Sequence, residues 1–343
     1  MPSTSNNTRI RLATRPVGNP APDNFTIETV PSPTPAAGQI LVKTIYVSLD
    51  PAMRGWMNEG KSYIPPIQIG DVFRAGTAGQ VIASNHAEFA VGEYVTGSWG
   101  VQQYGLLTGP SEQGKSDEIR KVDTTIAPLE TYMATLGMPG MTAYFGLLDT
   151  GQPQSGETVV VSGAAGAVGS VVGQIAKIKG CRVVGIAGDQ EKCDYCVDEL
   201  GFDACVNYKT DDLRKALKEA CPGGIDVYFD NVGGDILDTV LTQIRRKARI
   251  VICGAISQYN NTTPVKGPSN YLSLLTNRAR MEGIVVFDNA ANYTSAAREM
   301  AGWIQAGKLR DKVQIEHGIK NFLPTMMMLF TGRNFGKLLL KVD

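Results

Sequence analysis

A glycine-rich turn behind a short apolar run constrains the fold of this chain more than any other feature. Thr158–Ser162 reads Thr-Val-Val-Val-Ser and predicts a buried strand, after which glycines stand at positions 163, 166 and 169. The segment from Ser170 to Lys179 has the pattern of a helix. Small residues in such a turn let the backbone approach a pyrophosphate at the helix N-terminus. The spacing is G-x-x-G-x-x-G rather than the usual G-x-G-x-x-G, and tight strand-to-helix packing alone could also produce it.

The rest of the second half favours the dinucleotide-binding interpretation, because strand and helix patterns alternate there. Strands are predicted at 182–187, 226–230, 249–253 and 283–287, and helices at 191–200, 211–220 and 236–244. Alternation of this kind is typical of a parallel sheet with helices on both faces. The sequence therefore predicts a doubly wound α/β domain.

The first part of the chain has a different character. Prolines and short β-type runs dominate it, with strands predicted at 40–48, 79–83 and 93–96. From about residue 313 the chain returns to short runs and glycine turns, and this tail could pack on the first domain. We therefore predict two domains, a β-rich one from residues 1–130 with 313–343 and an α/β one from residues 131–312.

Charge and cysteine placement exclude several classes of protein. The chain has 343 residues, with 33 Lys and Arg against 33 Asp and Glu, so its formal net charge is zero. That balance argues against a nucleic-acid partner, because a protein that binds nucleic acid needs an excess or a stripe of basic residues. No run of about 18 apolar residues predicts a membrane span, and the first residues lack the apolar core of a signal peptide. The six cysteines all lie at or after position 181, unlike a secreted disulfide framework. We expect a cytoplasmic protein that acts on small molecules.

The end of the second predicted strand of the α/β domain indicates which dinucleotide is bound. NAD-binding folds place an acidic residue there to hold the ribose 2′-hydroxyl, but this strand ends at Ala187. Asp189 is predicted to cap the next helix, and Lys192 lies in the first turn of that helix. A neutral strand end followed by a lysine favours NADPH, whose 2′-phosphate the lysine can reach. The alternative is that Lys192 is simply a solvated surface lysine.

The sequence gives little support for a metal site or for a catalytic nucleophile. Cys193-x-x-Cys196 has a spacing used by zinc and redox sites, but positions 193, 196, 197 and 200 also form one helical stripe. A buried apolar face explains that stripe better. His86 and His317 are isolated in the sequence, and no G-x-S-x-G motif occurs. We therefore predict no metal site.

Several motifs in a fixed order resemble a known family. They are Ser48-Leu49-Asp50-Pro51-Ala52-Met53-Arg54, Gly137-Met138-Pro139-Gly140-Met141-Thr142-Ala143-Tyr144, Ala164-Ala165-Gly166-Ala167-Val168-Gly169-Ser170, Phe229-Asp230-Asn231-Val232-Gly233-Gly234, Cys253-Gly254-Ala255-Ile256-Ser257 and Asn334-Phe335-Gly336-Lys337. Over nearly its whole length the chain resembles the medium-chain dehydrogenase/reductase superfamily. Within it, the chain is similar to the zinc-independent branch of leukotriene B4 dehydrogenases/prostaglandin reductases, plant alkenal double-bond reductases and bacterial curcumin reductase.

The resemblance implies a GroES-like catalytic domain, formed by both ends of the chain, and a Rossmann domain, with NADPH in the cleft between them. Carried over by position, it implies that Gly166, Ala167, Val168 and Gly169 hold the pyrophosphate and that Lys192 and Tyr208 hold the 2′-phosphate end. The nicotinamide end would be lined by Asn231, Cys253, Gly254, Ala255, Ile256, Ser257, Tyr259, Ile284, Val285, Val286 and Asn334. It also implies a homodimer that forms through an edge strand near Ile284–Phe287. Zinc-dependent relatives carry cysteine ligands early in the chain, where this sequence has none.

The implied reaction is NADPH-dependent reduction of the C=C bond of an α,β-unsaturated ketone or aldehyde. Tyr259 is the candidate for stabilising the enolate, directly or through the ribose hydroxyl. Tyr46 and Tyr63 are candidates for walls of the substrate pocket, although Tyr63 could also be an ordinary loop aromatic beside two prolines. The alternatives are a quinone or carbonyl reductase of the same superfamily and a non-catalytic NADPH-binding protein.

Overall fold

The computed structural model describes residues 6–108 and 119–343, which fall into two units. The first unit runs to Met133 and also includes Val313–Asn334 and Leu338–Asp343. The second unit comprises Ala134–Lys312 and Phe335–Lys337. Each unit has its own sheet and its own hydrophobic clusters.

The described strands, in chain order, are β1 (Asn6–Leu12), β2 (Phe25–Pro31), β3 (Ile40–Ser48), β4 (Thr77–Ser84), β5 (Tyr94–Gly97), β6 (Tyr104–Leu107), β7 (Arg120–Val122), β8 (Thr158–Ser162), β9 (Arg182–Ala187), β10 (Ala204–Asn207), β11 (Ile225–Asp230), β12 (Ile244–Ile252), β13 (Arg280–Gly283), β14 (Val313–His317) and β15 (Lys337–Lys341). The α-helices are α1 (Ala52–Trp56), α2 (Met138–Phe145), α3 (Gly169–Ile178), α4 (Gln190–Asp194), α5 (Leu213–Ala220), α6 (Gly234–Leu241), α7 (Leu272–Asn277), α8 (Tyr293–Gln305) and α9 (Phe322–Thr331).

The first unit is built on antiparallel pairing. Its larger sheet has the order β14-β15-β3-β4-β5-β7, with β6 also paired to β3, and β1 pairs with β2 in a separate two-stranded sheet. The C-terminal strand β15 is antiparallel to β3, with Leu339 opposite Ser48. Strands β14 and β15, from the C-terminal part of the chain, thus extend the sheet that contains β3–β7.

The second unit is a six-stranded sheet with the order β10-β9-β8-β11-β12-β13, and every neighbouring pair is parallel. Strand β8 is buried throughout. Its Val159 and Val161 belong to one hydrophobic cluster, whereas Val160 belongs to another. Because successive side chains of a strand point to opposite faces, helices cover both faces of this sheet. The predicted doubly wound fold is confirmed.

Several predicted boundaries are wrong. The strand predicted at 249–253 begins earlier, at Ile244, and the helix predicted at 211–220 begins at Leu213. The helix predicted at 236–244 ends at Leu241, since Ile244 already pairs with Ile225 as the first residue of β12. The strand predicted at 283–287 is instead β13, Arg280–Gly283, and Val286–Asn292 forms a 3₁₀ helix. The apolar residues that follow β13 pack into the core below the sheet rather than extending its edge, which is why they resemble a strand in the sequence.

Among the described residues, no helix combines the length and the apolar character needed to cross a lipid bilayer.

Candidate functional site

The site begins where the strand order of the parallel sheet reverses. Strands β8 and β11 are neighbours, but the chain leaves them toward opposite sides of the sheet. Open α/β sheets bind ligands in the crevice at the carboxyl ends of such a pair. Here Ser162 Oγ donates to Asp230 Oδ1 at 3.0 Å, and the Asn231 side-chain amide donates to the carbonyl of Ser162 at 2.7 Å. These bonds fix Asn231 at the switch point.

The glycine-rich turn after β8 is too tight for larger side chains. Gly163 has φ +61°, and its carbonyl accepts the N–H of Gly166 at 2.9 Å. A Cβ atom on Gly169 would lie 2.2 Å from the carbonyl oxygen of Gly163. The turn therefore leads the chain directly into α3, where Ser170 donates its N–H to the carbonyl of Gly166 at 3.0 Å. The positive end of the helix dipole thus lies at the turn. This cradle fits a dinucleotide pyrophosphate, and Ala167 and Val168 complete it.

A segment far away in sequence packs against this turn. The N–H of Gly336 donates to the carbonyl of Ala165 at 3.0 Å, and Gly336 bridges Gly166 in parallel. Gly336 has φ +67°, and a Cβ atom on it would lie 2.1 Å from the carbonyl oxygen of Lys312. Residue 336 must therefore be glycine if the segment is to keep this position. The motif was noted in the sequence, but this role of Gly336 was missed.

Two aromatic rings and one lysine hold the same segment. The Phe335 ring meets Tyr195 edge-on, with centroids 4.9 Å apart. Lys312 Nζ lies 3.7 Å from the centroid of Phe335 and 4.6 Å from that of Tyr195. Cation–π contacts of this kind add to the stability of the packing. Phe335–Lys337 is thus an integral part of the dinucleotide-binding unit.

The structure brings Lys192 and Tyr208 together around the end of β9. Asp189 Oδ1 accepts the N–H of Lys192 at 2.9 Å, so the predicted helix cap is confirmed. Lys192 Nζ lies 3.4 Å from Asp189 Oδ2, and its side chain is only 15% exposed. Tyr208 donates its N–H to the carbonyl of Ala187 at 3.1 Å. A Cβ atom on Gly188 would lie 3.1 Å from the phenol oxygen of Tyr208, so the absent side chain makes room for that ring.

The loop after β12 lies beside Asn231. The N–H groups of Cys253 and Gly254 donate to the carbonyl of Asp230 at 2.9 and 3.1 Å. The N–H of Ala255 donates to the phenol oxygen of Tyr259 at 3.1 Å. A Cβ atom on Gly254 would lie 2.8 Å from that same oxygen. Tyr259 is therefore held by its own loop at the carboxyl edge of the sheet.

The remaining predicted residues of this unit follow the same edge. Ile256 donates its N–H to the carbonyl of Asn231 at 3.3 Å, and Ile284 donates its N–H to the carbonyl of Ile252 at 3.1 Å. Ser257, Val285 and Val286 lie in the same two loops. Burial, reinforced by Asp230, raises the pKa of the Cys253 thiol to about 12, so this thiol is protonated at neutral pH. It is therefore a poor nucleophile toward electrophilic ligands.

Three predicted residues belong to the first unit. Tyr46 is buried, and its phenol donates to Glu130 at 2.5 Å. Burial and then Glu130 raise the pKa of Tyr46 to about 12. Tyr63 has an exposed side chain, and Asn334 is partly buried as the last residue before Phe335. Pocket and cofactor roles for these three residues stay predictions.

The cysteine stripe is largely a buried face, as predicted. Cys193, Cys196 and Leu200 are buried, and the thiol of Cys205 contacts both other thiols. Val197, by contrast, is 38% exposed. Tyr195–Glu199 forms a π-helix, which changes the angular step between residues and turns Val197 outward. The stripe prediction is wrong at that position.

Comparisons with known proteins agree with this geometry. Residues 8–113 match the family described as the N-terminal domain of oxidoreductase, and residues 167–303 match the family described as zinc-binding dehydrogenase. The putative NADP-dependent oxidoreductase YfmJ of Bacillus subtilis is 47% identical, over 99% of this chain and 99% of that protein. The NADPH-dependent curcumin reductase of Escherichia coli is 42% identical over 98% of this chain and 97% of its own.

A solved structure is equally similar. CurA from Vibrio vulnificus, crystallised in complex with NADPH, superposes with a TM-score of 0.91 and 43% identity over 98% of this chain and 99% of that one. The chain belongs to the zinc-independent medium-chain dehydrogenase/reductases. Within them it falls in the group of curcumin, alkenal and prostaglandin reductases. Two parts of the site bear on the function of this chain: the cradle at Gly166–Gly169 and the loop that holds Tyr259.

Proposed function

We propose that this chain reduces the C=C bond of α,β-unsaturated aldehydes and ketones, with NADPH as the reductant. The chain is an NADP-dependent oxidoreductase of the alkenal, curcumin and prostaglandin reductase group. The observation that carries the proposed reaction is the phenol of Tyr259, held by the N–H of Ala255 at the carboxyl edge of the sheet. A reductase of this kind needs one fixed hydroxyl donor for the carbonyl oxygen of its substrate.

The residues at the sheet edge fit NADPH, which a homologous structure contains. Gly166, Ala167, Val168 and Gly169 would hold the pyrophosphate, because they form the glycine-rich turn at the positive end of α3. Lys192 and Tyr208 would hold the 2′-phosphate end. Asn231, the Cys253–Tyr259 loop, Ile284–Val286 and Asn334 would hold the nicotinamide end. Bound NADPH supplies the hydride that adds to the β-carbon of the substrate.

Tyr259 has two tasks in this proposal. Negative charge develops on the substrate carbonyl oxygen as the enolate forms, and the phenol donates a hydrogen bond to it, directly or through the ribose hydroxyl. A preorganised donor of this kind stabilises a transition state by about 2.7–4 kcal/mol. The α-carbon then takes a proton from solvent or from Tyr259. Tyr46 and Tyr63 are proposed as walls that exclude water from the substrate.

We also propose that the chain forms a homodimer through the edge strand β13. That strand pairs with β12 on one side, and β13 is the last strand of the described sheet. Light scattering after size exclusion checks this, with twice the mass of 36.8 kDa expected; the monomer mass would contradict it.

The experiment that tests the function is incubation with NADPH and a panel of 2-alkenals, enones and quinones. Oxidation of NADPH is followed by its absorbance, and products are identified by mass spectrometry and NMR. We expect saturated aldehydes and ketones. Allylic alcohols would identify a carbonyl reductase, hydroquinones alone a quinone reductase, and NADPH binding without any turnover a binding protein.

A further inference from the structure

We infer that Asp230 is a positioning residue, which holds Tyr259 in place through the turn at 231–233. The inference rests on the proposed role of Tyr259 and extends it to a second residue, buried at the end of β11. Asp230 is the last residue of β11, and only 1% of it is exposed. An acid so deeply buried is destabilising unless its hydrogen bonds offset the loss of water.

Four donors converge on one oxygen of this carboxyl group. Asp230 Oδ1 accepts from Ser162 Oγ at 3.0 Å, from the Tyr228 phenol at 2.8 Å, from the N–H of Val232 at 3.0 Å and from the N–H of Gly233 at 2.9 Å. In the described part of the chain, Oδ2 has no hydrogen-bond partner. Burial raises the pKa of Asp230, while the donors act in the opposite direction. The carboxyl group therefore ties β8, β11 and the turn after β11 to one point.

The turn at 231–233, which Asp230 holds, is hydrogen-bonded to the loop that contains Tyr259. The carbonyl of Asn231 accepts the N–H of Ile256 at 3.3 Å. Ser257 donates both its N–H, at 3.2 Å, and its side-chain hydroxyl, at 2.6 Å, to the carbonyl of Val232. Because both carbonyls belong to the turn, a displacement of the turn displaces the loop as well.

The turn at 231–233 and the Tyr259 loop pack so closely that neither can move without displacing the other. Gly233 has φ +71°, and a Cβ atom on it would lie 2.9 Å from the Cβ of Ala255. Ala255 is the residue whose N–H holds the Tyr259 phenol. The connection thus runs from Asp230 to the turn, from the turn to Ala255, and from Ala255 to the phenol oxygen. A small shift at the reacting end is sufficient to lower turnover strongly.

The same strand supplies a matched control at its other end. Asp226 is also buried, and its Oδ2 accepts the N–H of Thr158 at 2.9 Å and a bond from Arg245 at 3.1 Å. It braces β8 and β12 at the amino edge of the sheet, away from the Tyr259 loop. A purely structural role of a buried carboxyl group would be shared by both residues.

The test is a double-mutant cycle with Asp230→Asn and Tyr259→Phe, and with Asp226→Asn as the control. In Asp230→Asn a weaker acceptor replaces Oδ1, and an amide without an acceptor replaces Oδ2. We measure kcat and KM with a 2-alkenal, the Kd for NADPH and the melting temperature. We expect Asp230→Asn to lower kcat about tenfold with little change in either binding constant, and to have less than about a twofold effect in the Tyr259→Phe background. Asp226→Asn should lower the melting temperature but leave kcat unchanged.

Multiplication of the two losses in the double variant would overturn the inference, as would an equal loss of kcat in Asp226→Asn. Full turnover by Tyr259→Phe alone would instead overturn the proposed role of Tyr259, so the two failures are distinguishable. If Asp230→Asn does not fold, Ser162→Ala replaces it in the cycle, because it removes one donor to Oδ1 and the acceptor of the Asn231 N–H. The same non-additive pattern is then expected with a smaller loss.

Discussion

The phenol oxygen of Tyr259 accepts a hydrogen bond of 3.1 Å from the backbone N–H of Ala255. That bond uses a lone pair of the oxygen and not the hydroxyl hydrogen. Accepting a hydrogen bond makes a hydroxyl group a better donor, since neighbouring hydrogen bonds polarise one another. The phenol is therefore both placed and strengthened as a donor by a backbone group only four residues away, within a loop that rests on the end of β11.

Removal of the phenol oxygen should affect chemistry far more than binding. Tyr259→Phe is expected to lower kcat with a 2-alkenal by about 100- to 1,000-fold, the loss that follows removal of one preorganised donor. Its Kd for NADPH, measured by quenching of cofactor fluorescence, should change little. Tyr271→Phe is the control, because Tyr271 is exposed elsewhere on the same unit. Unchanged turnover in Tyr259→Phe would remove this residue from the mechanism.

A methyl group beside the phenol should have a similar effect. Gly254→Ala would place its Cβ 2.8 Å from the phenol oxygen, so the ring must move. We expect a loss of kcat of roughly tenfold, while overpacking destabilises the fold by about 1–3 kcal/mol. Gly302→Ala is the control, because no described atom outside its own helix backbone and chain neighbours lies within 4 Å of the added Cβ in α8. Equal turnover in the two variants would show that the position of the phenol is not critical.

Lys192 should distinguish the two nicotinamide cofactors. Its Nζ lies at the end of β9 near Asp189, in a position where a 2′-phosphate would add a further anionic partner. Lys192→Ala is expected to weaken NADPH binding by roughly 10–100-fold, the value of a charge-assisted hydrogen bond, and NADH binding much less. Titration of both cofactors measures this, with Lys218→Ala, an exposed lysine of α5, as the control. An equal loss for NADPH and NADH would contradict the 2′-phosphate assignment.

Alanine variants of two glycines with nearly the same φ distinguish the cost of backbone strain from the cost of a steric clash. Gly332 has φ +69°, and in the described part of the chain no atom beyond its neighbours would lie within 4 Å of an added Cβ. Gly336 has φ +67°, and an added Cβ would lie 2.1 Å from the Lys312 carbonyl oxygen. Both alanine variants bear a backbone cost of roughly 1–2 kcal/mol. Only Gly336→Ala should also weaken NADPH binding, because it detaches Phe335–Lys337 from the Ala165 carbonyl. Binding that is equally strong in both variants would show that this segment does not support the pyrophosphate turn.

Features that depend on neighbours in sequence could be predicted from the sequence alone. The strand before Gly163, the helix after it and the cap at Asp189 each follow from a short pattern, and the structure has all three. The alternation of such strand and helix patterns is sufficient to predict the doubly wound sheet. The family resemblance added the grouping of residues at the carboxyl edge, which no local pattern specifies.

Features that depend on distant packing could not be predicted in this way. The apolar run at Ile284–Phe287 resembles a strand, yet Val286 is buried in the core of the second unit and begins a 3₁₀ helix. Gly336 is one more turn glycine until its contact with Ala165 is seen. Asp230 stood in a recognised motif without a role, because only the fold brings Ser162 and the turn N–H groups to one oxygen. A polar residue at the end of a buried strand is the signal that could have indicated it.

The most direct test of the proposed reaction traces the hydride. NADPH carrying deuterium at the transferable C4 position is incubated with the protein and a 2-alkenal, and the product is examined by NMR. The proposed function predicts a saturated aldehyde with the deuterium on its β-carbon. Deuterium on the carbonyl carbon of an allylic alcohol would contradict it.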